Sequence, residues 1–330
     1  MLLSGCLVVG CWGKIDLFAN GGGEAGVEIP GDVGPGPCAL TDPNDPPIPC
    51  GPSDGGWSCP TPTKVATCPI DTPCMATVKQ SSPRSVYRIG RLRLWKPDAL
   101  LSLASSLFDP KVAARCANGG TEELSWLLAV DRRSNTLTTG SSRPSTDGRT
   151  FQFVDEATSS DAATCLGVPA PPVRIAPARA PIAMTGTGFA AAPMPALDIA
   201  IYDASGLPTV LPLREVSIRV PSTPDPSCIG SWNPKFWCDG DFLGWTTGGA
   251  IVAKITAEEA DRVLIRPAGC QSLCAILVND FTKTDGKVCK RGPDGKVPEI
   301  GDSCAGGTGC KNAFTLSATF GAYGVTATGF

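Results

Sequence analysis

The densest group of side chains able to do chemistry lies between Ser231 and Trp245, in SWNPKFWCDGDFLGW. Trp232, Trp237 and Trp245 supply flat faces that stack on sugar rings, and Asn233, Asp239 and Asp241 supply groups that bond hydroxyls. Cys228 and Cys238 flank the stretch, and a bridge between them would lower the cost of ordering it. The alternative is structural: large aromatic rings commonly plug the end of a β domain. Two acidic pairs, Asp239 with Asp241 and Glu258 with Glu259, are the other candidates for chemistry. A glycoside hydrolase needs carboxylates facing each other across a cleft, and neighbours in sequence do not provide that. Thr256-Ala-Glu-Glu259 reads instead as a helix capping box, with the glutamates favoured in the first turn by the helix dipole.

The chain contains no histidine. That removes Ser-His-Asp triads, Cys-His pairs and histidine-ligated metals from consideration. Catalysis would fall to carboxylates, Tyr, Lys or a Ser-Lys pair. The expectation is a protein that is not an enzyme and has no cofactor and no metal.

Sixteen cysteines accompany 38 glycines and 32 prolines. This usage points to a disulfide framework in an oxidising compartment. Zinc-thiolate chemistry at Cys270, Cys274, Cys289, Cys304 and Cys310 is the competing reading, and the compartment argues against it. The local pairings expected are Cys228–Cys238, Cys289–Cys304, Cys274–Cys310 and Cys116–Cys165.

Between residues 84 and 149 there are eleven basic and six acidic side chains. Arg91, Arg93 and Trp95 share one strand face. Such a stripe suits an acidic polysaccharide or a lipid headgroup, or it is a solvated face whose arginines block edge pairing. Nucleic acid is not an expected partner for a chain of net charge −3.

The elements that must position these groups are mostly strands. The best defined is the hairpin in IAIYDASGLPTVLPLREVSIRV, residues 199–220, where apolar and polar residues alternate with period two. VYRIGRLRLW, 86–95, is a strand whose apolar phase shifts at Gly90, the mark of a bulge. A helix is expected from Pro97 to Phe108. Strands follow at 124–130, 136–139 and 151–154. Residues 166–196, rich in Pro and Ala, read as a long crossover, and 221–250 as a loop. A short helix is expected from Ala257 to about Val263. Residues 270–278 suit a helix or a buried strand, 282–310 form a loop, and 313–320 close the domain. Hairpins outnumber helices, so the expected fold is mainly β: an antiparallel β sandwich with a few short helices.

The N-terminal third has another character. Leu3-Ser4-Gly5-Cys6 and Val8-Val9-Gly10-Cys11 both resemble the lipobox at which a bacterial signal peptide is cut before a cysteine that receives lipid. No basic residue precedes the apolar stretch. Residues 1–11 read as a signal and lipobox remnant, and Cys11 is the expected attachment site, because removing Cys6 with the signal and lipidating Cys11 leaves an even number of cysteines; Cys6 is the alternative. Residues 12–80 carry three basic and eight acidic side chains among Pro and Gly. They read as an acidic tether, with a small disulfide knot over 38–74. The globular domain spans 81–330.

Leu211-Pro-Leu-Arg-Glu215, Ile255-Thr-Ala-Glu-Glu-Ala-Asp261, Gln271-Ser-Leu-Cys-Ala-Ile-Leu277 and Ala313-Phe-Thr-Leu-Ser-Ala-Thr-Phe320 resemble uncharacterised Cys-rich lipoproteins of predatory, high-GC Gram-negative bacteria. The resemblance implies localisation and assigns no activity or functional residue. Together these readings describe an exported cell-envelope protein held to a membrane by lipid, with a binding or scaffolding role toward polysaccharide or another envelope protein. A carbohydrate-binding module using residues 232–245 and a carboxylate-dependent hydrolase are the alternatives.

Overall fold

The computed structural model describes residues 83–330, apart from 98, 101–108, 114–120, 144–149, 159–164, 166–171, 204–205, 222–226, 233–244 and 247, together with residues 13–15 and 29–31. Cys6, Cys11, the 38–74 segment and most of the expected 97–108 helix lie outside the described residues.

The core sheet has ten strands, the two-residue Cys228–Ile229 and nine longer ones. The nine are β1 (Arg84–Lys96), β2 (Ser125–Asp131), β3 (Thr136–Ser142), β4 (Ala178–Thr185), β5 (Gly188–Ala191), β6 (Met194–Tyr202), β7 (Pro208–Val220), β8 (Gly249–Thr256) and β9 (Ala313–Gly324). Each pairs antiparallel with its neighbour in the chain, except at β5 and β6, which run on from one another with a break at Ala192 and Pro193. Proline has no N–H to give to a ladder, so a break is where it is tolerated. The composite strand bridges the gap: β5 pairs with β4 through Phe189↔Met184 and with β7 through Phe189↔Val220. β6 then continues along β7 from Met194↔Val216 to Tyr202↔Pro208. β9 returns to β1 with Ala318↔Leu94 and Gly324↔Tyr87.

The pairing therefore closes. The mainly β, antiparallel class with few short helices stands, but the strands form one sheet wrapped on itself, an up-and-down barrel of eight staves, and not two stacked sheets. The residues read as a crossover supply the closing staves, and part of the stretch read as a loop, from Gly249, supplies another. Closure runs through β5, which is paired on both sides, while β6 is paired along β7 alone.

Alternation decides what goes inside. Leu128, Val130, Leu137, Ile182, Phe189, Met194, Leu197, Ile199, Val216, Ile218, Ile251, Ile255, Phe314 and Phe320 are all buried in one apolar cluster. Eight staves give an interior just wide enough for side chains to fill, and large residues fill this one. Phe314, Leu316, Ala318 and Phe320 share the inner face of β9, as their spacing predicts. Gly249 faces Phe320, and a Cβ there would lie 2.2 Å from the ring. The expected bulge at Gly90 is present: the β9–β1 register slips between Gly321↔Arg91 and Ala322↔Ile89. A second bulge falls at Glu215, which has φ +51°.

Arg93, Arg214, Arg219 and Lys254 project outward, as their register opposite the inward residues requires. An apolar inside and a charged outside reverse the pattern of a membrane-spanning barrel. Among the described residues no helix is long and apolar enough to cross a membrane.

Two short helices, α1 (Ala257–Arg262) beside β8 and α2 (Leu273–Val278) against α1, are buried on one side. The capping box works as expected: the Thr256 hydroxyl accepts from the Glu259 N–H at 3.1 Å. Ser272 caps α2 in the same way, accepting from the Ala275 N–H. On the opposite flank, outward-facing Arg88 is fully buried beneath residues 109–113 and 121–124.

Candidate functional site

Four charged side chains converge on the outer face of the β6–β7 hairpin where α1 overhangs it. Asp198 comes from β6, Arg214 from β7, and Glu259 and Arg262 from α1. The register places Asp198 opposite Pro212, one outward position from Arg214, which itself pairs with Ala196. The capping geometry of α1 then aims Glu259 at the same point. They border a cleft of about 220 Å³ whose apolar wall is Val173, Val210, Pro212, Val263 and Leu264.

Arg214 is the hub. Its Nε donates to Glu259 Oε1 at 2.9 Å, its Nη2 donates to the same oxygen, and its Nη1 donates to the Leu213 carbonyl at 3.0 Å. The Thr256 hydroxyl donates to the other Glu259 oxygen at 2.8 Å. Glu259 is thereby engaged on both oxygens. Asp198 is left at 3.6 Å from Arg214 Nη1, an ion pair too long to be a hydrogen bond. Its Oδ1 is buried and accepts none. Burial pushes the Asp198 carboxyl above its usual range, opposed by the Arg214 charge and reinforced by Glu259.

A raised carboxyl pKa means that the folded protein holds the proton more tightly than the unfolded chain. The favourable contribution is present below the unfolded pKa and is lost as pH rises through the folded one. At neutral pH ionised Asp198 therefore costs stability. Asp198→Asn should raise the unfolding free energy by about 0.5–2 kcal/mol at pH 7, the usual yield of relieving such a site, with the gain shrinking toward acid pH. Thermal melts of both proteins between pH 4 and 8 check this; a loss of stability at pH 7 would contradict it.

The sequence-predicted residues fall elsewhere. Trp232 and Trp245 are register partners in a two-stranded ribbon of 231–232 with 245–246. Asn233, Trp237, Asp239 and Asp241 lie outside the described residues. On the basic stripe, the Arg93 guanidinium stacks over the Trp95 ring at 4.3 Å, and Trp95 Nε1 donates to the Thr319 hydroxyl at 3.1 Å. Arg93 is exposed, whereas Arg91 is buried.

The disulfides correct the expected connectivity. Cys274 bonds Cys289, and Cys304 bonds Cys310, so neither Cys289–Cys304 nor Cys274–Cys310 forms. Cys165 bonds Cys270 across 105 residues and not Cys116. The two C-terminal bridges join consecutive cysteines, because α2 lays Cys274 against the hairpin end that carries Cys289. Cys228 is also disulfide-bonded; Cys238 and Cys116 lie outside the described residues.

Asp261, Cys274 and Cys289 place their ligand-type atoms within 4.8 Å of one another. The two sulfurs bond each other, and the carboxylate holds local structure. Asp261 accepts from the Ser272 hydroxyl at 3.1 Å, the Cys289 N–H at 2.8 Å and Arg291 Nη2 at 2.8 Å. This is a clamp joining α1, α2 and the bridged hairpin.

Sequence reading missed Asp198, Arg214 and Arg262 as a group. The one available signal was the capping box, which places Glu259 but says nothing of the strand pair beneath it. Comparison with protein-family models, curated proteins and solved structures finds no match for this chain.

Proposed function

We propose that this chain is an exported cell-envelope protein, lipid-anchored through Cys11 or, failing that, Cys6, whose barrel binds or scaffolds a partner and carries out no reaction. The observation that carries the reading is the state of the thiols: all seven described cysteines, at 165, 228, 270, 274, 289, 304 and 310, are disulfide-bonded. Such a framework persists where the surroundings are oxidising.

The packed barrel supports a binding role on the outside, because large side chains occupy the interior. The carboxylates supply little for hydrolysis. Glu259 is engaged on both oxygens by Arg214 and Thr256, so Asp198 lacks a second free carboxylate of the kind a two-carboxylate mechanism uses. A sugar-binding role for residues 232–245 draws support from the Trp232↔Trp245 pairing, which ties the two ends of that loop.

The test is intact mass of the protein expressed with its own N-terminus, taken from membrane and soluble fractions and alkylated before and after reduction. The expected result is a membrane-fraction chain starting at Cys11 or Cys6, bearing acyl mass, whose described cysteines alkylate only after reduction. A cytoplasmic chain with freely alkylated thiols would overturn it.

A further inference from the structure

The cleft between the β6–β7 hairpin and α1 contains two charged groups of opposite sign with unused hydrogen-bonding capacity. Asp198 Oδ1 is buried and accepts no hydrogen bond, because every Arg214 nitrogen that faces the site is engaged by Glu259 or by the Leu213 carbonyl. Arg262, exposed on the last turn of α1, donates no hydrogen bond among the described residues. Val210, Pro212, Val263 and Leu264 form an apolar wall beside them.

A buried polar atom without a partner is rare in folded proteins and costly to keep. Sites of this kind, where local consistency fails, concentrate where something else binds. The missing partner of Asp198 is a hydrogen-bond donor, and a cationic one gains most in a half-buried setting. Arg262, which interacts with the Glu258 charge and is otherwise open to water, offers donors best met by a carboxylate. The wall between them calls for hydrocarbon. The volume of about 220 Å³ lies below the range of drug-sized pockets, which limits the ligand to something near the size of one amino acid.

We propose that this cleft binds a free α-amino acid with an aliphatic side chain, its ammonium group donating to Asp198, its carboxylate accepting from Arg262 and its side chain lying on Val210, Pro212, Val263 and Leu264. The proposal rests on the binding role argued above. Arg214 and Glu259 are positioning residues. They hold each other, fix the height of α1 over the hairpin and keep Arg214 at ion-pair distance from Asp198 without a hydrogen bond to it.

Calorimetric titration of the full, oxidised chain with three probes tests it: L-leucine, 3-methylbutylamine, which keeps only the ammonium, and 4-methylpentanoate, which keeps only the carboxylate. Leucine should bind at least about tenfold more tightly than either single-charge probe, the value of one charge-assisted hydrogen bond. Asp198→Asn should abolish leucine binding while the protein stays folded, shown by a melting temperature at or above that of the parent. Arg262→Gln should reduce leucine to the affinity of the amine. Equal affinity for leucine and the amine, unmoved by Arg262→Gln, would overturn the amino-acid assignment. If the carboxylate probe alone binds, or if none of the three binds while a surface-glycan panel is retained, the ligand class falls and the binding role stands. If neither the probes nor the panel bind, both fall.

Discussion

Replacing Cys165 and Cys270 together by serine should cost about 4–5 kcal/mol of unfolding free energy, the largest loss expected from any single bridge described here. The pair closes a loop of 105 residues. A cross-link of that span removes far more freedom from the unfolded chain than a short one, because loop-closure entropy grows with the logarithm of length. The same double replacement at Cys304 and Cys310, which are six residues apart, should cost less than about 3 kcal/mol on that scale. Urea titrations of the two double variants beside the parent make the comparison. Equal losses would show that the bridges act through native contacts and not through the unfolded ensemble. The long bridge also fixes geometry. It ties the segment that leads into residues 173–175, whose Val173 walls the cleft, to the turn at Gly269 and Cys270 that follows α1.

The second large effect is expected at Arg88. This side chain is fully buried on the outer face of β1, where the register alone would put it in water. Four partners surround it. Its Nη1 donates to the Tyr323 hydroxyl at 3.0 Å, its Nη2 to the Val112 carbonyl at 2.8 Å and its Nε to the Ser125 hydroxyl at 3.2 Å, while Glu122 lies 3.4 Å away as its counter-ion. The Phe151 and Tyr323 rings flank it. Arg88→Met should cost about 3–5 kcal/mol, because it strands the Glu122 carboxylate in a site that is 1% exposed. Arg88→Met with Glu122→Gln should recover much of that loss, since a buried ion pair replaced as a unit is nearly neutral. Arg88→Lys should not recover it, because an ammonium cannot serve three separate acceptors with the geometry of a guanidinium fork. Denaturant midpoints for the four proteins decide the matter. A single variant that loses less than about 1 kcal/mol would show the cluster to be incidental.

The parts of this fold that local pattern reveals are those where one side of a strand faces water. Residues 197–220 alternate cleanly and form the β6–β7 hairpin. Residues 313–320 alternate and form β9, and the phase slip at Gly90 is a bulge. Thr256-Ala-Glu-Glu259 caps a helix because capping is decided within four residues. Residues 178–202 defeat the same reasoning. Ala178, Ala180, Ala183, Ala190 and Ala196 give little contrast between faces, and Pro181, Pro193 and Pro195 read as breakers. Yet these residues fill the ring between β3 and β7, and without them a sandwich is the natural inference. Residues 249–256 do alternate, but the aromatic stretch before them draws the loop boundary too far. The Cys165–Cys270 bridge and the cleft fail for a common reason. Each joins segments far apart in the sequence, and no local pattern encodes that. Asp198, Arg214 and Glu259 stand 16 and 45 positions apart along the chain, and only the pairing of β6 with β7 and the docking of α1 make them neighbours.

Seven of the eight joints of the barrel link neighbours in sequence, and only the last, β9 on β1, joins the two ends of the domain. A chain emerging amino terminus first can therefore zip its staves in order of synthesis, each on the one just made, but it cannot lock the ring until residues 313–324 arrive. Until then β1 and the newest stave both present unpaired backbone, the state in which two copies exchange staves or stack. A chain cut short before Ala313 would keep almost all of its apolar residues and still have an open seam. The final stave acts as a latch, and the seam between β1 and the growing sheet closes in one step when residues 313–324 arrive.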